Sequence, residues 1–339
     1  MAYTNRRYIK GAIYEICIRT KQGLPFACNE VVNSILVGIL ARANRNNIVS
    51  LCHFIYMGNH AHMLVVLNEP SQFQNYYAEI MKKTTETFKA LMGLKELQLW
   101  EKRPSIIELV TPEDIIERIA YFYSNPAKAG LVKSIQSYPG LSSWDCFMRS
   151  LPSIESSFNE PVKWYRYSVM EPLLKSPDLL NNTRKLHLPT TSDSHTQEMF
   201  VLRPNAWMEA FDLNYEEDIK DTLRRIKELV VEREQRLEQE RQEKGNTIMG
   251  VNRLLSELCD LYKYKPKSRS RRLFIVSRSS KIRAEFIVQY KAFCKACSEA
   301  RKEFLNGVKN VVWPIGAFVP WMPVIDGKLV TPGLITIAT

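Results

Sequence analysis

Two histidines one residue apart, His60 and His62, head an apolar run that continues Met63-Leu-Val-Val-Leu67. On a strand, side chains alternate between faces, so both imidazoles share one face while Ala61, Met63 and Val65 take the other. Two neutral imidazoles converging from one sheet make half of a divalent-metal site. A second group with chemical potential is a tyrosine. Placed on a helix, Thr111-Pro-Glu-Asp-Ile-Ile-Glu-Arg-Ile-Ala-Tyr-Phe-Tyr-Ser-Asn125 divides into two arcs. Ile115, Ile116, Ile119, Phe122 and Tyr123 fall on the apolar arc. Tyr121 falls on the polar arc with Asp114, Glu117, Arg118 and Asn125. Tyr123 is therefore a core aromatic, and Tyr121 projects from the charged face with Asn125 one turn on.

The flanking sequence predicts the elements that must hold these groups. Residues 12–19 and 48–56 alternate as strands, 60–67 is a third strand, and Gly58-Asn59 between the last two is a hairpin signal. Residues 28–45 and 71–92 read as helices, with a further strand in 96–110. Strands and helices in this order predict an α+β fold, an antiparallel sheet with helices on one face. Thr111 is a good N-cap, Pro112 suits the first helical position, and Asn125-Pro126 predicts the end of that helix. His53, inside an apolar strand, reads as a core residue rather than a ligand.

Three sequence blocks resemble the HUH single-tyrosine transposases, in particular their REP-associated branch. Met57-Gly-Asn-His-Ala-His62 is similar to that family's Met-Pro-Asn-His-hydrophobic-His block, with Gly58 where proline is usual. Tyr121-Phe-Tyr-Ser-Asn-Pro-Ala-Lys-Ala-Gly-Leu-Val132 is similar to its Tyr-x-x-x-Asn-Pro-x-x-Ala-Gly-Leu-Val block. Tyr138-Pro-Gly-Leu-Ser-Ser143 is similar to the Tyr-Pro-x-Ser-Ser segment that follows, with one extra residue. The resemblance spans about residues 8–150, and Trp313-Pro-Ile-Gly-Ala-Phe-Val-Pro320 resembles the tail of longer members.

The resemblance implies a ferredoxin-like or RRM-like antiparallel sheet (the HUH nuclease fold) followed by a mainly α-helical C-terminal region. It implies a metal-dependent endonuclease and strand transferase that cuts single-stranded DNA near hairpin or palindromic repeats. Tyr121 is then the nucleophile that forms a 5′-phosphotyrosine, and His60, His62 and Asn125 hold Mg²⁺ or Mn²⁺. Two readings of Arg118 stand side by side: a cationic field that helps Tyr121 ionise, or a salt bridge to Asp114. Action as a monomer and action as a homodimer both remain open.

The corresponding domain expectation is a nuclease domain at 1–150, a connector at 151–214, a long charged helix at 215–245 and a basic helical DNA-binding module at 246–339. The connector is rich in Pro, Ser, Thr and Asn and reads as loosely structured. His187 and His195 fall in it and have no catalytic reading. The long helix has Ile219, Leu223, Ile226, Val230 and Leu237 near heptad spacing, but its seam turns polar beyond Val231. That pattern predicts an exposed strut.

With 47 Lys+Arg against 36 Asp+Glu the chain carries a formal charge of +11, which favours a polyanionic partner. Between Lys263 and Arg283 there are nine basic residues and no acidic one: Lys263, Lys265, Lys267, Arg269, Arg271, Arg272, Arg278, Lys281 and Arg283. Tyr262, Tyr264 and Phe274 are interleaved with them, and cations with aromatics suit phosphate neutralisation and base stacking. Arg6, Arg7 and Lys10 form a smaller candidate arm for DNA, and Ile248-Met-Gly-Val-Asn-Arg-Leu-Leu255 is a candidate opening of a helix-turn-helix. The seven cysteines are scattered, and Cys294-Lys-Ala-Cys297 lacks the second pair a zinc knuckle needs. The N-terminus has no apolar stretch of signal-peptide type, and no run is long enough to span a bilayer. The expectation is therefore a soluble cytoplasmic protein, associated with the nucleoid when bound to DNA. The alternative is a domesticated, catalytically idle DNA-binding protein. A metal hydrolase of the amidohydrolase type is disfavoured by the total of five histidines and the lack of repeated strand–helix units.

Overall fold

Strand β1 (Ile13–Arg19) is buried along almost its whole length, so apolar layers must cover both of its faces. The computed structural model describes residues 7–21, 23–24, 28–101, 103–166, 168, 194–213, 215–256, 275, 277, 279–308 and 310–317. Helix α1 (Glu30–Ala43), strands β2 (Val49–Tyr56) and β3 (His60–Leu67), helix α2 (Phe73–Leu91) and strand β4 (Ser105–Leu109) follow β1 in the chain. They build a four-stranded sheet in the order β2-β3-β1-β4, every neighbouring pair antiparallel. This β-α-β-β-α-β arrangement is ferredoxin-like, and the fold is α+β.

Helices α1 and α2 cover the face that carries Tyr14, Ile16, Ile18, Met63 and Val65. Helix α3 (Pro112–Lys128) covers the opposite face, against Ile13, Ile55, Leu64 and Leu109. The expectation of helices on one face only is corrected by this third layer. Its cause is visible in the sheet, whose second face carries Ile13, Ile55, Leu64 and Leu109 and cannot be left to water. Helix α3 also runs two residues past Pro126, to Lys128. A proline in the last turn forfeits a single backbone hydrogen bond, and the end is closed by Ala129 N–H to Asn125 O and Leu131 N–H to Pro126 O.

Two further segments differ from expectation. Within the stretch read as a loose connector, β5 (Phe158–Tyr165) pairs with β6 (His195–Leu202) as an antiparallel ribbon. The ribbon packs on α1, and Phe200 and Leu202 enter the core. Gly38 makes the approach possible: a Cβ there would lie 2.3 Å from the Lys163 carbonyl oxygen. Proline and exposed polar residues hid β5 from a periodicity reading.

A short helix α4 (Trp144–Met148) precedes the ribbon, and α5 (Glu216–Glu243) is the long charged helix. It is not an exposed strut. It lies along α3 and buries Ile219, Leu223, Ile226 and Val230 there. Glu117 pairs with Arg233, and the Arg241 guanidinium donates to the Ala127 carbonyl at 3.1 Å. Past α5, Met249 and Gly250 donate backbone hydrogen bonds to the carbonyls of Gly130 and Leu131, just before helix α6 (Val251–Ser256). Helix α7 (Ser280–Leu305) follows, and the segment around Trp313 returns to the N-terminus through Tyr8 N–H to Gly316 O at 3.1 Å. No described helix is long and apolar enough to cross a membrane.

Candidate functional site

The site forms where the β1–β3 pairing meets α3. Antiparallel register sets Cys17 opposite His62 and Arg19 opposite His60, so Glu15, Cys17 and Arg19 share the sheet face of the two histidines. The imidazoles lie edge-to-face with centroids 4.8 Å apart. Helix α3 crosses this face and brings Tyr121, Phe122 and Asn125 to it: His62 stacks on Phe122 at 5.0 Å and meets the edge of Tyr121 at 5.6 Å. The Asn125 side-chain nitrogen is 2.9 Å from His60 Nε2. Residues separated by some sixty positions in the chain thus converge, each from the face of its element that local periodicity predicts. Tyr123 is fully buried and hydrogen-bonds His53 Nδ1 at 2.7 Å and Ser143 Oγ at 3.0 Å. Tyr121 is half-buried.

Each histidine is oriented by a neighbour at Nδ1. His60 Nδ1–H donates to Asn59 Oδ1 at 2.5 Å, and His62 Nδ1–H donates to Glu15 Oε1 at 2.8 Å. Glu15 is 1% exposed, and its other oxygen accepts from Arg118 Nε at 2.6 Å. The Arg118 guanidinium carbon sits 5.3 Å from the Tyr121 ring centroid, with Lys128 Nζ 5.1 Å from the same ring. Asp114 instead joins the N-cap, accepting from the Thr111 hydroxyl at 2.6 Å. Of the two readings of Arg118, the salt bridge to Asp114 gives way to one with Glu15, which reaches across from β1 where no spacing within the helix reveals it.

The charges divide unequally over the pair. Burial, and then the neighbouring charges of His62 and Arg19, push the pKa of His60 down to about 3, so it is neutral. Burial also opposes charge on His62, but Cys17 and Glu15 facing the ring outweigh it and hold its pKa at about 9. Burial would raise the Glu15 carboxyl, yet hydrogen bonding and charge from His62 and Arg118 keep it below its usual range. Burial raises the Tyr121 phenol, with Arg118 opposing. The phenol is protonated near neutral pH.

Among the described residues no three His, Cys, Asp or Glu side chains are grouped to hold a metal; a third donor here is the Asn125 amide. Cys294 and Cys297 are free thiols on α7. Of the candidate DNA-binding residues, Arg118 belongs to the site, and Arg7 stands at the N-terminus, where its carbonyl accepts from the Tyr14 hydroxyl at 3.3 Å. Arg6, Lys263, Lys265, Lys267, Arg269, Arg271, Arg272 and Arg278 lie outside the described residues. Sequence reading missed Glu15. Its signal was a lone carboxylate inside the apolar run Ile13-Tyr-Glu-Ile-Cys-Ile18, a burial that needs charged partners.

No family model matches the sequence, and no curated protein matches it. Among solved structures, one of a REP-associated tyrosine transposase bound to a REP hairpin is similar, at 22% identity with a TM-score of 0.37. The match covers 44% of this chain and 86% of that one.

Proposed function

We propose that the protein is a transposase-type, single-tyrosine endonuclease and strand transferase that cuts single-stranded DNA beside hairpin-forming repeats. One observation carries the reading: Tyr121, His60, His62 and Asn125 meet on one sheet face, in the arrangement their sequence blocks imply. The donor set also fits a divalent ion such as Mg²⁺ or Mn²⁺. With Nδ1 of each imidazole engaged by Asn59 or Glu15, Nε2 is the ring nitrogen that His60 and His62 would offer as a ligand atom, His62 giving up a proton to do so. The Asn125 amide nitrogen meets His60 Nε2 at 2.9 Å, and a turn of that amide would present its oxygen instead. Such an ion, when bound, neutralises phosphate charge as a Lewis acid.

The remaining chemistry belongs to the chain. Tyr121 Oη attacks the phosphorus, the new bond to the phenolic oxygen forms as the bond to the 3′-oxygen breaks, and the products are a 5′-phosphotyrosine and a free 3′-hydroxyl. The phenolic proton passes to solvent, and the departing oxygen takes one up. Arg118 and Lys128 against the ring favour the phenolate that develops during attack. The phosphotyrosine conserves the energy of the phosphodiester, so a second 3′-hydroxyl reseals the strand by the reverse reaction.

The test is a 5′-phosphoryl adduct assay on hairpin-flanked single-stranded oligonucleotides with Mn²⁺ or Mg²⁺. Wild-type protein is expected to migrate as a covalent protein–DNA species, and Tyr121→Phe is expected to form none. An adduct that persists in Tyr121→Phe removes Tyr121 as nucleophile. Metal-independent hairpin binding with no adduct identifies an idle DNA-binding protein instead.

A further inference from the structure

Strand β1 buries one carboxylate on the face that carries His60 and His62, and both of its oxygens are committed. Oε1 stands 2.8 Å from His62 Nδ1 and Oε2 stands 2.6 Å from Arg118 Nε. We propose that Glu15 is a positioning residue that serves two reacting groups at once, fixing the ring of His62 for an ion and holding Arg118 against Tyr121. The inference rests on the functional reading above, which supplies the roles of His62 and Tyr121.

An ionised carboxylate only accepts hydrogen bonds, so the nitrogen of His62 that faces it must carry a proton. That assigns Nδ1 as the donor and Nε2 as the ligand atom, and it locks the ring plane that stacks on Phe122. The second oxygen acts through Arg118, whose guanidinium then lies 5.3 Å from the Tyr121 ring centroid. Glu15 is 1% exposed, and a carboxylate so buried needs both partners to offset its lost hydration. His62 lies on β3, Arg118 and Tyr121 lie on α3, and the Glu15 carboxylate on β1 hydrogen-bonds to both His62 and Arg118.

Glu15→Gln separates this role from mere core packing, because it is isosteric but presents one acceptor and one donor. Whichever way the amide turns, either His62 Nδ1–H or Arg118 Nε–H meets another N–H. The experiment measures Mn²⁺ affinity by calorimetry without DNA, and separately the rate of Tyr121 adduct formation at saturating Mn²⁺. Glu15→Gln is expected to weaken Mn²⁺ binding by about 10- to 100-fold and to slow adduct formation as well. Arg118→Gln is expected to leave Mn²⁺ affinity near wild type while slowing adduct formation, since Glu15 Oε1 still holds His62 Nδ1–H and the glutamine amide can still donate to Oε2, whereas the cation beside Tyr121 is gone.

A folded Glu15→Gln protein with wild-type Mn²⁺ affinity and wild-type adduct rate overturns the proposal. Equal loss of Mn²⁺ affinity in Glu15→Gln and Arg118→Gln overturns the division between the two arms. Should Glu15→Gln not fold, Glu15→Asp carries the same test, because it keeps the charge but is one methylene too short to reach both partners. Wild-type Mn²⁺ affinity in Glu15→Asp then counts against the proposal. A wild-type protein that binds Mn²⁺ but forms no adduct refutes the functional reading alone, leaving the Mn²⁺ titrations to judge the hold of Glu15 on His62.

Discussion

His53 lies under the helix that carries Tyr121, and its burial makes a quantitative prediction about acid. It is 1% exposed and hydrogen-bonded to Tyr123, which in turn bonds Ser143. Ser143 bridges to the backbone of Phe54 on β2, so the three side chains seat α3 on the sheet. Burial pushes the pKa of His53 from 6.5 down to about 3 in the folded chain. Above pH 6.5 the ring is neutral folded and unfolded, and its contribution to stability is complete. Below it the unfolded chain takes up a proton that the folded chain refuses, so stability is lost as the pH falls from about 6.5 toward about 3. The slope is about 1.4 kcal/mol per pH unit, which at pH 4.5 amounts to a loss on the order of 3 kcal/mol. That is a large part of the margin of an ordinary domain.

The assay is urea unfolding followed by tryptophan fluorescence, on wild type and His53→Gln, at pH 7.5 and pH 4.5. At pH 7.5 the variant is expected to be the less stable, by the packing and hydrogen bonding that glutamine fails to reproduce. At pH 4.5 the gap should narrow by an amount on the order of 3 kcal/mol, because glutamine does not titrate and the other acid-sensitive groups are common to both proteins. A gap of the same size at both pH values refutes the reasoning: His53 would then be no more reluctant to protonate folded than unfolded.

Two stability predictions concern the segments that departed from expectation. Helix propensity alone makes Gly38→Ala stabilising by roughly 1 kcal/mol, but the contact of a Cβ with the Lys163 carbonyl reverses the sign to a loss of about 1–3 kcal/mol, read as a lower melting temperature. Ile226→Ala on α5, at a fully buried position, should cost about 2–5 kcal/mol in urea unfolding, whereas the exposed Val231→Ala should be nearly neutral. Equal, small effects at both positions would restore the exposed strut.

Much of the site is legible in the amino-acid sequence because it depends on local periodicity. The two-residue period of a strand puts His60 and His62 together, and the helical arc separates Tyr121 from Tyr123, whatever packs around them. The same local rules predict the strands and helices that build the four-stranded sheet. Packing decisions are not local. A ribbon whose two strands lie far apart in sequence leaves no hairpin signal, and its anchors are tertiary: the close approach to α1 at Gly38 and the entry of Phe200 and Leu202 into the core. The charged helix α5 buries an apolar stripe from Ile219 to Val230, just about three turns long, which reads as a weak seam until α3 is placed beneath it.

The sequence by itself therefore determined the chemical groups of the site and the faces from which they project. Tertiary structure alone decided their surroundings: which side of the sheet α3 covers, that Arg118 answers to Glu15 rather than to Asp114, and that burial lowers the pKa of one imidazole while Cys17 and Glu15 raise that of its neighbour. The reason is physical. Side-chain direction follows from backbone geometry over a few residues, whereas ion pairing and burial depend on groups that the fold brings together from β1, β3 and α3.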